Sequence, residues 1–266
     1  MFEAFYQLSN TPFARDIPTE ELYQSRALIE ALGRLEHTAT RKLFTVVTGD
    51  CGVGKTTIIR KLKDTLDSQK YFVMYLAECK LTPRYFYKGL IAQLGTEFRS
   101  YRGEARHYLH RELEIMQAIH HRHAVVIIDE AHLLEKEMLE ELRFLLNYKM
   151  DAQSPLGLIL VGQNELWGKL KLQTYAAVQQ RIDLQCNLAP LDREQVDGYI
   201  KRHLTYAGTE HEIFSDAAVD EIYKFSHGLP RLVNKVSTHC LTFGAQNERR
   251  IIDDHMVKTV VQGELS

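Results

Sequence analysis

The sequence predicts an α/β protein: a parallel sheet with helices on both faces, followed by a small all-helical domain. Three observations predict it. Short apolar runs alternate with helical stretches long enough to be crossover connections. The run Ala124–Ile128 is continuous rather than alternating, as in a strand buried on both faces. Beyond residue 188 the strand-like runs stop and only helical patterns follow.

In chain order, an N-terminal arm (1–40) carries Phe2, Phe5, Tyr6, Pro12-Phe13 and Leu22-Tyr23 in a loop-like setting, then an amphipathic helix from about Ser25 to Glu36. The α/β core (41–188) opens with a strand, Leu43–Thr48, and the loop Gly49-Asp50-Cys51-Gly52-Val53-Gly54-Lys55-Thr56. That loop meets the phosphate-loop pattern G-x-x-x-x-G-K-[ST] at every fixed position, and Thr57 continues it into the next helix. Glycines at 49, 52 and 54 let the backbone approach a polyphosphate with its N–H groups turned inward. The helix start adds a positive dipole end, Lys55 a charge for the β- and γ-phosphates, and Thr56 a hydroxyl for Mg²⁺.

A helix from Thr56 to Gln69 leads to a strand, Tyr71–Ala77; Thr82 then caps a helix opening at Pro83. Between Lys80 and His123, eight Lys or Arg face four acids, with tyrosines and histidines interleaved. The excess suits phosphate-backbone contacts and equally suits a solvated helical face. His120, His121 and His123 lack the spacing of a metal site and read as a surface turn. The apolar run ending in Asp129-Glu130 supplies a second constellation: Asp129 to hold Mg²⁺ through water, and Glu130 to polarise an attacking water.

Leu133–Tyr148 reads as an amphipathic helix burying Leu134, Met138, Leu142, Leu145 and Leu146. A strand, Leu156–Val161, ends at Gly162-Gln163-Asn164, where Gln163 first and Asn164 second could touch a γ-phosphate. Arg181-Ile182-Asp183-Leu184 starts the last strand. The helical domain (189–266) holds helices near Asp192–Ala207, Ser215–Ser226, Arg231–Gly244 and Asp253–Gln262.

At 266 residues with 45% hydrophobic content, the chain can bury one large domain and one small one. A net charge of -2 gives no global nucleic-acid signal. No apolar run is long enough to span a membrane, no secretory leader opens the chain, and four scattered cysteines suit reduced thiols, so the expected location is cytoplasmic.

Strands alternating with helices, then a helical lid, resemble the AAA+ ATPases over nearly the whole chain. The details Tyr6…Pro12-Phe13…Leu22-Tyr23, GDCGVGKTT, VVIIDEAHLL, ILVGQNEL, QQRI and GLPRLVN are similar to the ExeA-like branch and to the regulators of DNA transposition TnsC, TniB and IstB. The resemblance implies ATP and Mg²⁺ as cofactors. It also implies that Arg181 reaches the γ-phosphate of a neighbouring subunit, where a surface ion pair is the other reading, and that Arg231 reaches the nucleotide of its own chain. The family more often carries Asn, Thr or Ser at the place of Gln163.

Upstream segments in nucleotide-binding domains often lie against the base, so Pro12, Phe13 and Tyr23 are candidates for an adenine pocket and equally for ordinary packing of the arm. The resemblance further implies a homo-oligomer, ring or filament, on double-stranded DNA that serves a transposase. Lys80, Thr82, Arg84, Arg99 and Arg102 are the expected backbone contacts. Secretion members carry a transmembrane segment and a peptidoglycan-binding region that this sequence lacks, which favours the transposition helpers over a secretion or envelope ATPase. A replication loader is the third reading. The fold is common to all three and does not choose between them.

Overall fold

The computed structural model describes residues 2–77, 81–96, 102–150 and 153–265, with residues 102 and 103 as backbone only. The elements in order are α1 (Phe2–Phe5), α2 (Arg26–Arg41), β1 (Phe44–Gly49), α3 (Lys55–Thr65), β2 (Tyr71–Leu76), α4 (Pro83–Gln93), α5 (Arg102–His120), β3 (His123–Ile128), α6 (Lys136–Leu146), β4 (Gly157–Gly162), α7 (Asn164–Leu170), α8 (Ala176–Gln179), β5 (Leu184–Leu188), α9 (Arg193–Tyr206), α10 (Asp216–Ser226), α11 (Pro230–Gln246) and α12 (Asp254–Val260). They form two units, an α/β unit (Ala27–Asp50 and Lys55–Leu188) and a helical unit (Met1–Arg26, Cys51–Gly54 and Ala189–Ser266).

In the α/β unit the five strands are all parallel, in the order β2-β3-β4-β1-β5. Every residue of β1 and β4 is buried, and so is all of β3 after His123. Continuous apolar runs are what strands covered on both faces need. Phe86, Tyr87, Leu90 and Ile91 of α4, Leu109 and Leu113 of α5, and Met138, Leu139, Leu142, Leu145 and Leu146 of α6 share one core with the strands. Each such side chain contributes about 1.5–3 kcal/mol through burial. The strand order sets the C-terminal tips of β3, β4 and β1 side by side.

The helix expected to end near Glu36 runs on as α2 to Arg41, and three further boundaries differ from the sequence expectation for a local reason. The Asp67 side chain accepts the N–H of Gln69 at 2.9 Å, so a turn replaces the last helical residues and α3 stops at Thr65. The last strand begins at Leu184 rather than Arg181. Arg181 and Ile182 still donate backbone hydrogen bonds to Val178 and Gln179, both at 3.0 Å, while the Asp183 carboxylate takes the N–H of Phe44 at 2.7 Å. The helix expected from Leu133 is broken: Glu130 is left-handed, Ala131–Leu133 forms a single 3-10 turn, and α6 begins at Lys136.

The helical unit is built on capped helices. Asp192 accepts the N–H of Gln195 at 2.8 Å while Gln195 accepts that of Asp192 at 3.0 Å, Ser215 and Asp253 cap α10 and α12, and Pro230 opens α11. Its core joins Val196, Ile200 and Leu204 of α9 to Val219 and Ile222 of α10, Val233, Val236 and Leu241 of α11, and Val257 of α12. Phe2, Tyr6 and Phe13 of the N-terminal arm belong to the same core. Among the described residues no helix is long and apolar enough to cross a membrane.

Candidate functional site

Within the α/β unit the site is built at the strand tips. Lys55 folds back over the turn that follows β1 and donates to the carbonyls of Gly49 at 2.8 Å and Asp50 at 3.0 Å. These are the bonds that phosphate oxygens would replace. Asp129, one residue past β3, is 5% exposed, and both its oxygens are engaged. Oδ1 accepts the N–H of Glu130 at 2.8 Å. Oδ2 accepts the Thr56 hydroxyl at 3.2 Å and the Tyr75 hydroxyl at 2.7 Å. Asn164 donates to the Asp50 carboxylate at 2.7 Å.

These groups fit a magnesium nucleotide. Mg²⁺ takes hard oxygen ligands and is usually held by one or two protein oxygens plus substrate phosphates. The Thr56 hydroxyl beside the Asp129 carboxylate is such a pair. Among the described residues, no three of His, Cys, Asp or Glu converge to hold a metal by themselves.

Glu130 stands at φ 52°, ψ 32°, a left-handed conformation that costs a non-glycine residue about 1 kcal/mol or more. The turn throws its carboxylate outward: the side chain is 49% exposed, whereas neighbouring His132 is 10% exposed. Gln163 follows β4 as the first residue of the turn into α7, and its amide nitrogen lies 3.3 Å from His132 Nε2.

The helical unit, to which Cys51–Gly54 belong, has a group of contacts of its own. Arg231, second residue of α11, donates its N–H to the Gly52 carbonyl at 3.2 Å and holds Nη1 3.6 Å from Cys51 Sγ. Gly52 has φ 85°, and a Cβ there would stand 2.9 Å from Arg231 Cβ, so only glycine allows this approach. Phe13 lies in the core of this unit, 5% exposed, its ring stacked on His203 at 5.0 Å and its N–H donated to His203 Nδ1 at 3.1 Å. Burial pushes the His203 imidazole down to about 4, with Arg202 adding to the shift. Tyr23 lies over Gly198 and meets Tyr199 edge-on at 6.2 Å. Pro12 is buried beside Phe13.

Residues 37–170, half of the chain, match the model of the AAA domain family. The chain belongs to that family. The AAA chain is 32% identical over 247 residues to general secretion pathway protein A of Aeromonas hydrophila, a match that covers 91% of this chain and 44% of the relative. It therefore spans less than half the length of that relative. Among solved structures it is similar in fold to the Aeropyrum pernix ORC2 protein in its ADPNP–ADP complexes, with TM-score 0.71 and 14% identity over 95% of this chain and 71% of that one. It is likewise similar to Drosophila ORC bound to DNA, with TM-score 0.63 and 15% identity over 98% of this chain and 64% of that one.

Two further groups of predicted residues stand outside the phosphate-loop sequence of this AAA chain. Arg181 lines a cleft of about 250 Å³ with Lys42, Phe44, Gln153, Ser154 and Asp183. Phe44 begins β1 and Gly49 ends it, so the cleft and the phosphate loop are at opposite ends of a strand about 17 Å long. The side chain of Arg181 is too short to span that length and meet a nucleotide held by its own chain's Lys55. Thr82 caps α4, its hydroxyl oxygen facing the N–H of Tyr85 at 3.5 Å, and Arg84 is exposed. Lys80 and Arg99 lie outside the described residues, as does the side chain of Arg102, whose backbone opens α5.

Sequence reasoning missed Tyr75. It occupies the edge strand β2, opposite Ile127 of β3, and reaches Asp129 past the strand tip. Burial, then the bond to Asp129, raises its phenol well above the ordinary tyrosine value, so it stays a donor. The signal that could have found it is a tyrosine near the end of the strand next to the one bearing Asp129. The parallel register that brings the two together is not written in either segment alone.

Proposed function

We propose that the chain is a Mg²⁺-dependent ATPase that assembles on double-stranded DNA in its ATP-bound form and regulates DNA transposition by presenting target DNA to a transposase. The observation that carries the ATPase reading is the Thr56–Asp129 pair beside Lys55, with Glu130 displayed on a strained turn. Lys55 would neutralise the β- and γ-phosphates, Thr56 and Asp129 would hold Mg²⁺, and Glu130 would take a proton from the attacking water. Gln163 would contact the γ-phosphate. Arg231 would reach the nucleotide from Gly52, and Pro12, Phe13 and Tyr23 would support the base side.

Arg181, too far from its own phosphate loop, would complete the site of a neighbouring copy, making assembly depend on the γ-phosphate. DNA contact is assigned to Lys80, Thr82, Arg84, Arg99 and Arg102, through phosphates and without base readout. A cytoplasmic setting suits this reading. The 32% identity to general secretion pathway protein A favours a second one, an ATPase of secretion or envelope assembly that acts on protein.

The deciding experiment measures ATP hydrolysis with and without double-stranded DNA, and images particles formed with a non-hydrolysable analogue. Assemblies that need both analogue and DNA, and that vanish in Arg181→Ala, support the transposition reading. Hydrolysis indifferent to DNA, with no assembly on it, transfers the chain to the secretion reading.

A further inference from the structure

We propose that His132 is a positioning residue that links Gln163 to Glu130, so that the residue meeting the γ-phosphate sets the orientation of the base. The inference rests on the ATPase reading of this site and names a part of it that neither the phosphate loop nor the Asp-Glu pair contains.

The side-chain contacts favour one tautomer of the ring. Gln163 Nε2 lies 3.3 Å from His132 Nε2. An amide nitrogen can only donate, so the ring nitrogen facing it accepts and the ring proton sits on Nδ1. His132 Nδ1 is buried and has no hydrogen-bond partner. A buried donor left unmade is costly, and the nearest carboxylate oxygen, Glu130 Oε2, is 3.4 Å away. Because Glu130 is half-exposed and free to swing, a small rotation converts this approach into a hydrogen bond. The ring itself has no such freedom. Its turn, Ala131–Leu133, lies close against the end of β4, where a Cβ on Gly162 would stand 3.0 Å from the backbone nitrogen of His132.

The chain Gln163, His132, Glu130 therefore runs from a strand tip through a nearly buried imidazole to a carboxylate on a strained turn. With Gln163 donating to Nε2, the Nδ1 proton is directed at Glu130 and holds its carboxylate in one orientation. The Gln163 amide carries two hydrogens, so one can stay on His132 Nε2 while the other meets a γ-phosphate, and the Nδ1 proton then stays directed at Glu130 in the nucleotide-bound state. His132 thus keeps the base in register with the residue that meets the γ-phosphate.

The first test is ¹⁵N NMR of the full chain labelled in histidine, with His132 assigned from the resonance missing in His132→Asn. The Nδ1–H tautomer is expected in the nucleotide-free protein, with a shift toward the Nε2–H form in Gln163→Leu. An Nε2–H tautomer in the unaltered chain overturns the proposal. The second test is kinetic: His132→Ala is expected to lower kcat about 10- to 100-fold with KM for ATP within about twofold, and His132→Asn, which keeps a donor near the Nδ1 position, to recover part of kcat. An unchanged kcat in His132→Ala overturns it too. A wild-type chain that neither binds nor hydrolyses ATP sinks the ATPase reading itself, and the tautomer result separates that failure from this one.

Discussion

Oδ2 of Asp129 receives two hydroxyls, from Thr56 and Tyr75, and each has a different task when a nucleotide is present. The Thr56 hydroxyl is drawn to Mg²⁺; the Tyr75 hydroxyl has no competing partner of that kind and keeps the carboxylate in place. A hydrogen bond to a charged acceptor is worth about 1.5–3 kcal/mol. Tyr75→Phe is therefore expected to raise the Mg²⁺ concentration for half-maximal hydrolysis about tenfold, since about 1.4 kcal/mol is one decade, while the protein stays folded. A Mg²⁺ titration of ATPase rate checks this, and an unshifted midpoint would show that Thr56 alone orients Asp129. Glu130 carries the complementary prediction. Glu130→Gln should bind ATP normally and lose about 10²- to 10⁴-fold in kcat, read by nucleotide binding alongside single-turnover hydrolysis.

At the scale of elements, the N-terminal arm is seated in the helical unit by one close approach. Tyr6 is 8% exposed, and its hydroxyl donates to the Arg249 carbonyl at 2.8 Å. It lies against Gly244 of α11, where a Cβ would stand 2.2 Å from the Tyr6 oxygen. Glycine to alanine in a helix ordinarily gains about 1 kcal/mol. Here it must expel a buried aromatic ring, which costs about 3–5 kcal/mol when one is lost outright, so Gly244→Ala should destabilise by about 2–4 kcal/mol. Tyr6→Phe, losing only the hydrogen bond, should cost about 1 kcal/mol. Urea unfolding of both variants tests the order; a stabilised Gly244→Ala would refute the close approach. The arm also shows what the sequence could not convey. The phosphate loop, the buried strand before Asp129 and the capped helices are local patterns, and each appears where its residues predict. Phe13 and His203 are 190 positions apart, and Tyr6 and Arg249 are 243 apart. No periodicity connects such pairs. The start of β5 departs from the local pattern for a related reason: Asp183 is committed to Phe44 of another strand, and the helical bonds of Arg181 and Ile182 persist up to it.

For the molecule as a whole, His203 makes stability depend on pH. Its Nδ1 accepts the Phe13 N–H, and burial holds the imidazole neutral down to about 4, against 6.5 for a free histidine. Between those values the unfolded chain binds a proton that the folded chain does not. Stability therefore falls as pH drops through this window, and is fully retained above it. The difference of about 2.5 pH units corresponds to at most about 3 kcal/mol, a large part of the stability of an ordinary domain. His203→Phe removes the titrating ring but also strands the Phe13 N–H, so it should be less stable at pH 7.5 and lose less on acidification. The measurement is the change in urea midpoint between pH 7.5 and pH 5 in both proteins. Equal changes would place the acid sensitivity in other histidines, and a smaller change in the variant would assign it to the joint between the arm and α9.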